Sequence, residues 1–249
     1  MKTQRFKLIV EYDGRPYSGW QRQKNAPSVQ AAMEEAFSKF AIGEEPTVHG
    51  SGRTDTGVHA LGQVAHVDIA RDMTADSVMG AFNYHLRAHP ITVLAVEAVD
   101  NDFHARFSAV KRHYVYRILN RRTPLTFQEG LVWGVKPALN VAAMHEAAQL
   151  LVGKHDFTTF RHVHCQAESP IKTMDYLSVD QVGDEIHVTA GARSFLHHQI
   201  RSITGTLMLV GAGKWTKADV AGALAAKDRA RLKLNAPPDG LYFKKVDLE

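Results

Sequence analysis

One stretch constrains this chain more than any other: Gly50-Ser51-Gly52-Arg53-Thr54-Asp55-Thr56-Gly57-Val58-His59-Ala60. Glycine recurs at 50, 52 and 57. That is no comfortable helix or strand interior, where each glycine costs roughly 0.5–1 kcal/mol relative to alanine. The pattern suits a loop that bends sharply and lets other groups come close. Inside it sit Arg53, Asp55 and two threonine hydroxyls, near a backbone with few side chains. A carboxylate held there beside a cation can be a nucleophile, a general base or a turn former. The loop alone does not choose.

The flanking sequence sets this loop among strands. Lys7 to Tyr12 reads as a short strand ended by the turn pair Asp13-Gly14. After the loop, Ala65, Val67 and Ile69 alternate with Val64, His66 and Asp68, the period of a strand. Between them, Ser28 is placed to cap a helix whose apolar stripe is Val29, Ala32, Met33, Ala36, Phe37 and Phe40. A second helix is expected from Thr74 to about Leu86, then a β-branched run from Ile91 to Val96. Strand, helix, strand, helix, strand defines an α/β or α+β half. Arg15 to Asn25 mixes Tyr17, Trp20, Gln21, Arg22, Gln23 and Lys24. It is either a surface that grips something polar or a loop with an anchoring tryptophan.

Beyond residue 100 the charge balance shifts. From Asn101 to Leu125, Arg106, Lys111, Arg112, Arg117, Arg121 and Arg122 face only Asp102, with Phe107, Tyr114 and Tyr116 among them. Cations for phosphates and rings for bases are what a nucleic-acid surface needs. An edge strand guarded by arginines is the alternative. Val115, Arg117 and Leu119 fall on one face of a strand there, and Tyr114, Tyr116 and Ile118 on the other. A helix is expected over 140–151, a loop over 155–165, and a hairpin of 172–179 with 185–190. A long helix over 197–210 follows, with Leu196, Ile200, Ile203, Leu207 and Val210 as its seam. Arg201 lies beside that seam, and no acidic residue occurs between Gly191 and Thr216. Such an arginine wants a partner from elsewhere in the fold. A last helix over 218–226 and a run over 240–246 complete the chain, with no long linker, so the two halves are expected to share one sheet.

Composition excludes several classes. With 249 residues, 45% hydrophobic and 22% charged, the chain can bury a full core. A net charge of +4 and a pI near 9.1 permit an anionic partner. The single cysteine, Cys165, rules out an internal disulfide and a multi-cysteine zinc site, and a reducing compartment is expected. The apolar core Leu8 to Val10 is too short for a signal peptide, and no stretch approaches the roughly 20 apolar residues that span a bilayer. A soluble, cytoplasmic protein is the expectation. His155, His162 and His164 have no second ligand cluster at metal spacing, so no metal is expected. The loop lacks the Gly-Lys-Ser/Thr end of a P-loop and the dinucleotide fingerprint, and neither a Gly-x-Ser-x-Gly elbow nor a His-Glu-x-x-His motif is present.

Gly52-Arg53-Thr54-Asp55-Thr56-Gly57-Val58-His59-Ala60 resembles the signature of the tRNA pseudouridine synthase A family. Tyr12-Asp13-Gly14, Gly19-Trp20-Gln21-Arg22-Gln23 and Ser28-Val29-Gln30 are similar to the family's opening. His104-Ala105-Arg106-Phe107-Ser108-Ala109 and Tyr114-x-Tyr116 resemble its middle. Asp156-Phe157-Thr158-x-Phe160, Phe195-Leu196-His197-His198-x-x-Arg201 and Gly240-Leu241-Tyr242 resemble the remainder. Gln199 departs from an expected methionine. The resemblance implies isomerisation of uridine to pseudouridine at positions 38, 39 and 40 in the anticodon stem-loop of tRNA, by a homodimer needing no cofactor or metal. It implies Asp55 as nucleophile, Tyr114 packed on the target base, Arg201 paired with the catalytic carboxylate, and Arg53 displacing the base. The fold it implies is α+β: two similar α/β halves, residues 1–105 with the aspartate loop and 106–249 completing the RNA cleft, sharing a central, mostly antiparallel sheet flanked by helices.

Those roles agree with the residues' chemistry. A stem uridine must be extruded, at a few kcal/mol of lost stacking and pairing. Tyr114 would give it a π-face worth about 1–3 kcal/mol. A carboxylate is ionised at neutral pH and attacks without a separate base, though burial alone would raise its pKa and an arginine would counter that. Arg106, Lys111 and Arg112, with Arg121 and Arg122, are candidate phosphate contacts. A non-catalytic RNA-binding protein and a glycosidic hydrolase remain as competing classes. No convincing second carboxylate pairs with Asp55 for hydrolysis.

Overall fold

The computed structural model describes residues 3–41, 47–232 and 234–249. Ten strands form a large, mostly antiparallel sheet flanked by helices, a mixed α+β architecture. The chain divides into two compact units, one of Met1–Val110 with Phe243–Glu249 and the other of Lys111–Tyr242.

In the first unit, β1 (Gln4–Tyr12) lies between β4 (Ile91–Val99) and β3 (His59–Ile69), antiparallel to both. β2 (His49–Gly50) pairs the other edge of β3, setting His49 opposite His66. β1 buries Phe6, Leu8, Val10 and Tyr12 with the expected period of two. β3 departs from that period: Val64, Ala65, His66 and Val67 are all buried, because both faces of this inner strand are covered. α1 (Val29–Ser38) starts where the cap predicts, the Ser28 hydroxyl accepting from Ala31 N. Its Phe37, with Phe40 just beyond, meets Phe82 of α2 (Ala75–His85) in a ring cluster with centroids 5.0–5.8 Å apart.

In the second unit, β5 (Ala109–Asn120), β9 (Glu185–Ala192), β8 (Ile171–Val182) and β7 (Gly153–Asp156) pair in that order, all antiparallel. β6 (Trp133–Val135) adds to β5 in parallel. The segment over 155–165, expected as a loop, begins with the end of β7 and continues through a short 3₁₀ turn, Thr158–Phe160. Phe157 and Phe160 bury fully there, so packing fixes a stretch that has no periodicity to show it. α3 (Val141–Ala148) and α4 (Gln199–Gly211) pack together, with a Cβ at Gly211 falling 2.6 Å from the Met144 sulfur. α5 (Lys217–Ala226) begins with a reciprocal Thr216–Asp219 capping box. The last strand, β10 (Leu241–Leu248), enters the first unit from Phe243 onward and follows β3 in strand order.

Candidate active site

The Asp55 loop is held residue by residue. Ser51 N donates to Val64 O (2.8 Å), and the Ser51 hydroxyl donates to Gln63 Oε1 (2.6 Å). Gln63 Nε2 in turn donates to Gly52 O (2.9 Å). Thr54 is buried and shares a hydroxyl hydrogen bond with Tyr12 (2.8 Å). The backbone carbonyls of Thr54 and Asp55 accept from Trp20 N (3.2 Å) and Val58 N (3.1 Å). Burial pushes the Tyr12 phenol well above its ordinary range, against the pull of Thr54, so it stays neutral and serves as a fixed polar pin.

The cradle is the segment after β1. Gly57 N donates to Tyr17 O (3.2 Å), and Gly14 N donates to His59 Nδ1 (3.2 Å). The two backbones approach so closely that a Cβ at Gly14 would lie 2.1 Å from Val58 O, and one at Gly19 2.3 Å from Thr54 O. Tyr17 and Trp20 are buried, at 5% and 2% exposure, so these two rings anchor the loop, while Gln21, Arg22, Gln23 and Lys24 are exposed. Arg22 spends its charge on the buried Glu34, and Gln21 Nε2 donates to Gln30 (2.7 Å). The result is a backbone held by hydrogen bonds and close contacts, carrying a half-buried Asp55 and, two residues earlier, an exposed Arg53.

In the second unit, Tyr114 sits half-buried on β5 opposite Ala190, its ring edge-on to Phe195 at 5.1 Å and 84°. Its neighbour Tyr116 turns inward and donates to Pro237 O (2.7 Å). Arg201 lies half-buried in the first turn of α4. Its Nε donates to Ala236 O (2.8 Å) and its Nη1 to His198 Nε2 (3.1 Å), while Ala236 N donates back to Arg201 O (3.1 Å). The guanidinium is therefore aimed by its own unit. His198, just before the helix, adopts a left-handed φ of 64°, a conformation that costs a non-glycine residue of order 1–3 kcal/mol.

The predicted phosphate contacts diverge. Lys111 pairs with Asp175 at 3.0 Å, and Arg112 Nη1 donates to Arg193 O (2.7 Å). Arg106 lies over the Phe107 ring at 5.8 Å. Arg117 is locked to Glu185, whose carboxyl is pulled down to about 2, chiefly by the guanidinium's hydrogen bonds.

One cluster escaped the sequence reading. His49, His66 and His104 bring candidate ligand nitrogens within 4.8 Å of one another. His66 Nδ1 accepts from Ala105 N (3.1 Å), and His104 Nδ1 accepts from Arg106 N (3.2 Å). A neutral imidazole that accepts at Nδ1 carries its proton on Nε2, so neither ring has a lone pair to spare for a metal. The stack instead fastens the 104–108 segment to β3. No spacing rule joins residues from positions 49, 66 and 104.

The first unit holds a glycine-cradled aspartate loop and the second a strand rich in arginine and tyrosine, residue types that an RNA-modifying catalyst would use. A family model described as tRNA pseudouridine synthase matches residues 8–108 and 147–248. The chain is 59% identical over 239 residues to "tRNA pseudouridine synthase A" of Rhizorhabdus wittichii, covering 96% of this chain and 94% of that one. It is 55% identical over 243 residues to the protein of that name in Maricaulis maris (98% and 97% covered), and 58% over 240 residues to that of Rhodospirillum centenum (96% and 98%). The chain belongs to the tRNA pseudouridine synthase family, and so is an isomerase acting on uridine in tRNA.

Proposed function

We propose that the chain converts uridine to pseudouridine at positions 38, 39 and 40 of the tRNA anticodon stem-loop, with Asp55 as nucleophile. The observation that carries this reading is the Asp55 loop itself. Backbone hydrogen bonds and glycine contacts fix residues 51–58, while the Asp55 side chain remains half-buried. A pre-positioned carboxylate of this kind removes much of the entropic cost of attack.

The target uridine leaves the stem, and Arg53, exposed and two residues from the nucleophile, fills the gap. Tyr114, already braced edge-on by Phe195, stacks on the extruded uracil. Arg201 pairs with the catalytic carboxylate and holds it ionised. Asp55 attacks the sugar at C1′ or the base at C6, and the C1′–N1 bond breaks. The uracil turns and forms the C1′–C5 bond; Asp55 departs, and the C5 proton passes to solvent. Residues 1–105 supply the catalytic loop and 106–249 the remaining RNA contacts. The enzyme works as a cytoplasmic homodimer without cofactor or metal. Among the described residues no helix is long and apolar enough to cross a membrane.

Tritium release from tRNA labelled at uridine C5 tests the reaction. Native protein releases label, and Asp55→Asn, which keeps the shape but not the charge, releases none above background while still binding tRNA. Release by Asp55→Asn at the native rate would remove Asp55 from the mechanism. Mapping of the product places the modified positions.

A further inference from the structure

Cations that the fold leaves without carboxylate partners gather at one place in the second unit. β5 and β6 run parallel, with Asn120 opposite Val135, so the residues after each strand emerge side by side. The Asn120 side chain fixes this exit: Nδ2 donates to Val135 O (2.8 Å) and Pro137 O (2.6 Å), and Oδ1 accepts from Leu139 N (3.0 Å). A cavity of about 540 Å³ opens there, lined by Asn120, Arg121, Arg122, Lys136, Pro137 and Ala138. Arg121, Arg122 and Lys136 are all exposed, and among the described residues none of them is ion-paired. Arg121 Nη2 donates to Pro124 O (2.8 Å), which steadies one fork. From Arg121 to Asn140 the sequence holds a single carboxylate, Glu129.

The contrast lies within the same strand. Lys111 and Arg117 of β5 are neutralised by Asp175 and Glu185. The three cations at its exit are not. Like charges collected on a fixed floor repel one another, and an anion relieves that repulsion. Two guanidinium forks and an ammonium suit phosphate oxygens, bidentate from arginine and as a point charge from lysine.

We propose that this cavity binds backbone phosphates of the tRNA substrate. The proposal rests on the tRNA reading above, but its partner residues lie outside every motif that carries the family resemblance. It also joins Lys136, which lies beyond the basic stretch, to two arginines within it.

The test compares native full-length protein with an Arg121→Gln, Arg122→Gln, Lys136→Gln triple variant. The affinity for an unmodified tRNA transcript is followed by fluorescence anisotropy over a salt series. For every phosphate the protein ceases to neutralise, the log–log salt slope becomes shallower by about 0.7–0.9. The triple variant is expected to show a slope shallower by about 2 and at least tenfold weaker binding at low salt. An Arg121→Lys, Arg122→Lys variant, which keeps the charge, retains most of the native slope and guards against misfolding as the cause. An unchanged slope in the triple variant overturns the proposal. Calorimetric titration with inorganic phosphate separates the sources: native-only millimolar binding that tRNA displaces supports an RNA phosphate site, whereas phosphate binding that saturating tRNA leaves intact overturns it in favour of a free anion. If the native protein binds tRNA but releases no tritium, the isomerase reading fails and the slope comparison still decides this site.

Discussion

Gly19 shows what a single residue contributes to the Asp55 loop, to which it does not belong. Its φ of +95° is a region that side chains rarely enter, and its missing Cβ leaves room for Thr54 O at 2.3 Å. Gly19→Ala therefore has to move the backbone one residue from Asp55, the proposed nucleophile. The expected result is a fall in kcat of at least tenfold, with a stability loss of about 1–3 kcal/mol. A native kcat would show that the cradle does not set Asp55. Arg201→Ala is expected to behave differently. Its guanidinium is held by Ala236 O and His198, so truncation removes an aimed charge. Activity should fall far more than tRNA affinity, read from a rate assay beside a titration; equal losses would make Arg201 a binding residue. The glycine-rich Asp55 loop stood out in the sequence, but the reason Gly14, Gly19 and Trp20 accompany it did not. Their partners, Val58 and Thr54, are far along the chain, and no local rule connects a turn glycine to a distant carbonyl.

At the scale of elements, periodicity carried the long pieces and failed on the short ones. α1 begins at Ser28, the cap read from sequence, and α2 and α3 begin after Thr74 and Asn140, where those helices were expected to start, because a cap is a local hydrogen bond; α5 begins at Lys217, capped by Thr216, one residue before the expected start. β6 and β7, three and four residues long, have too few positions to show a period and exist because a neighbouring strand pairs them. The imidazole stack on β2 and β3 is likewise invisible until those strands pair, and it has a measurable consequence. Burial first, then the neighbouring His49 and Arg5, lower His66 from its ordinary value to about 4. The folded state thus refuses a proton that the unfolded chain accepts below about 6.5. Stability is complete above that pH and declines as the pH falls towards 4, by up to about 3 kcal/mol. Urea midpoints measured between pH 7 and pH 4 should fall in the native protein, and fall less steeply in His66→Gln. Parallel declines in the two proteins would assign the acid sensitivity to other groups.

At the scale of the molecule, a net charge of +4 does not say where positive charge stands uncommitted, because where the carboxylates go matters more than their number. Asp68, Glu97, Asp13, Glu34, Asp175 and Glu185 are committed to Arg5, Lys7, Arg15, Arg22, Lys111 and Arg117. Composition could say only that an anionic partner was permitted. It could not say which arginines were spent internally, since several of these pairings depend on strand register. Three of these pairs lie across a strand pairing, Arg5 with Asp68, Lys7 with Glu97 and Arg117 near Glu185. The uncommitted cations are the ones available to displace counterions from RNA. If about five phosphates are contacted, affinity for tRNA should fall at least a hundredfold between 50 and 200 mM salt. The same salt should raise KM in parallel and leave kcat at saturating tRNA nearly constant, because counterions are displaced on binding and not in the bond-breaking step that follows. A rate that fell at saturation would place the salt-sensitive charges at the chemical step. An affinity that barely moved would remove the phosphate contacts altogether.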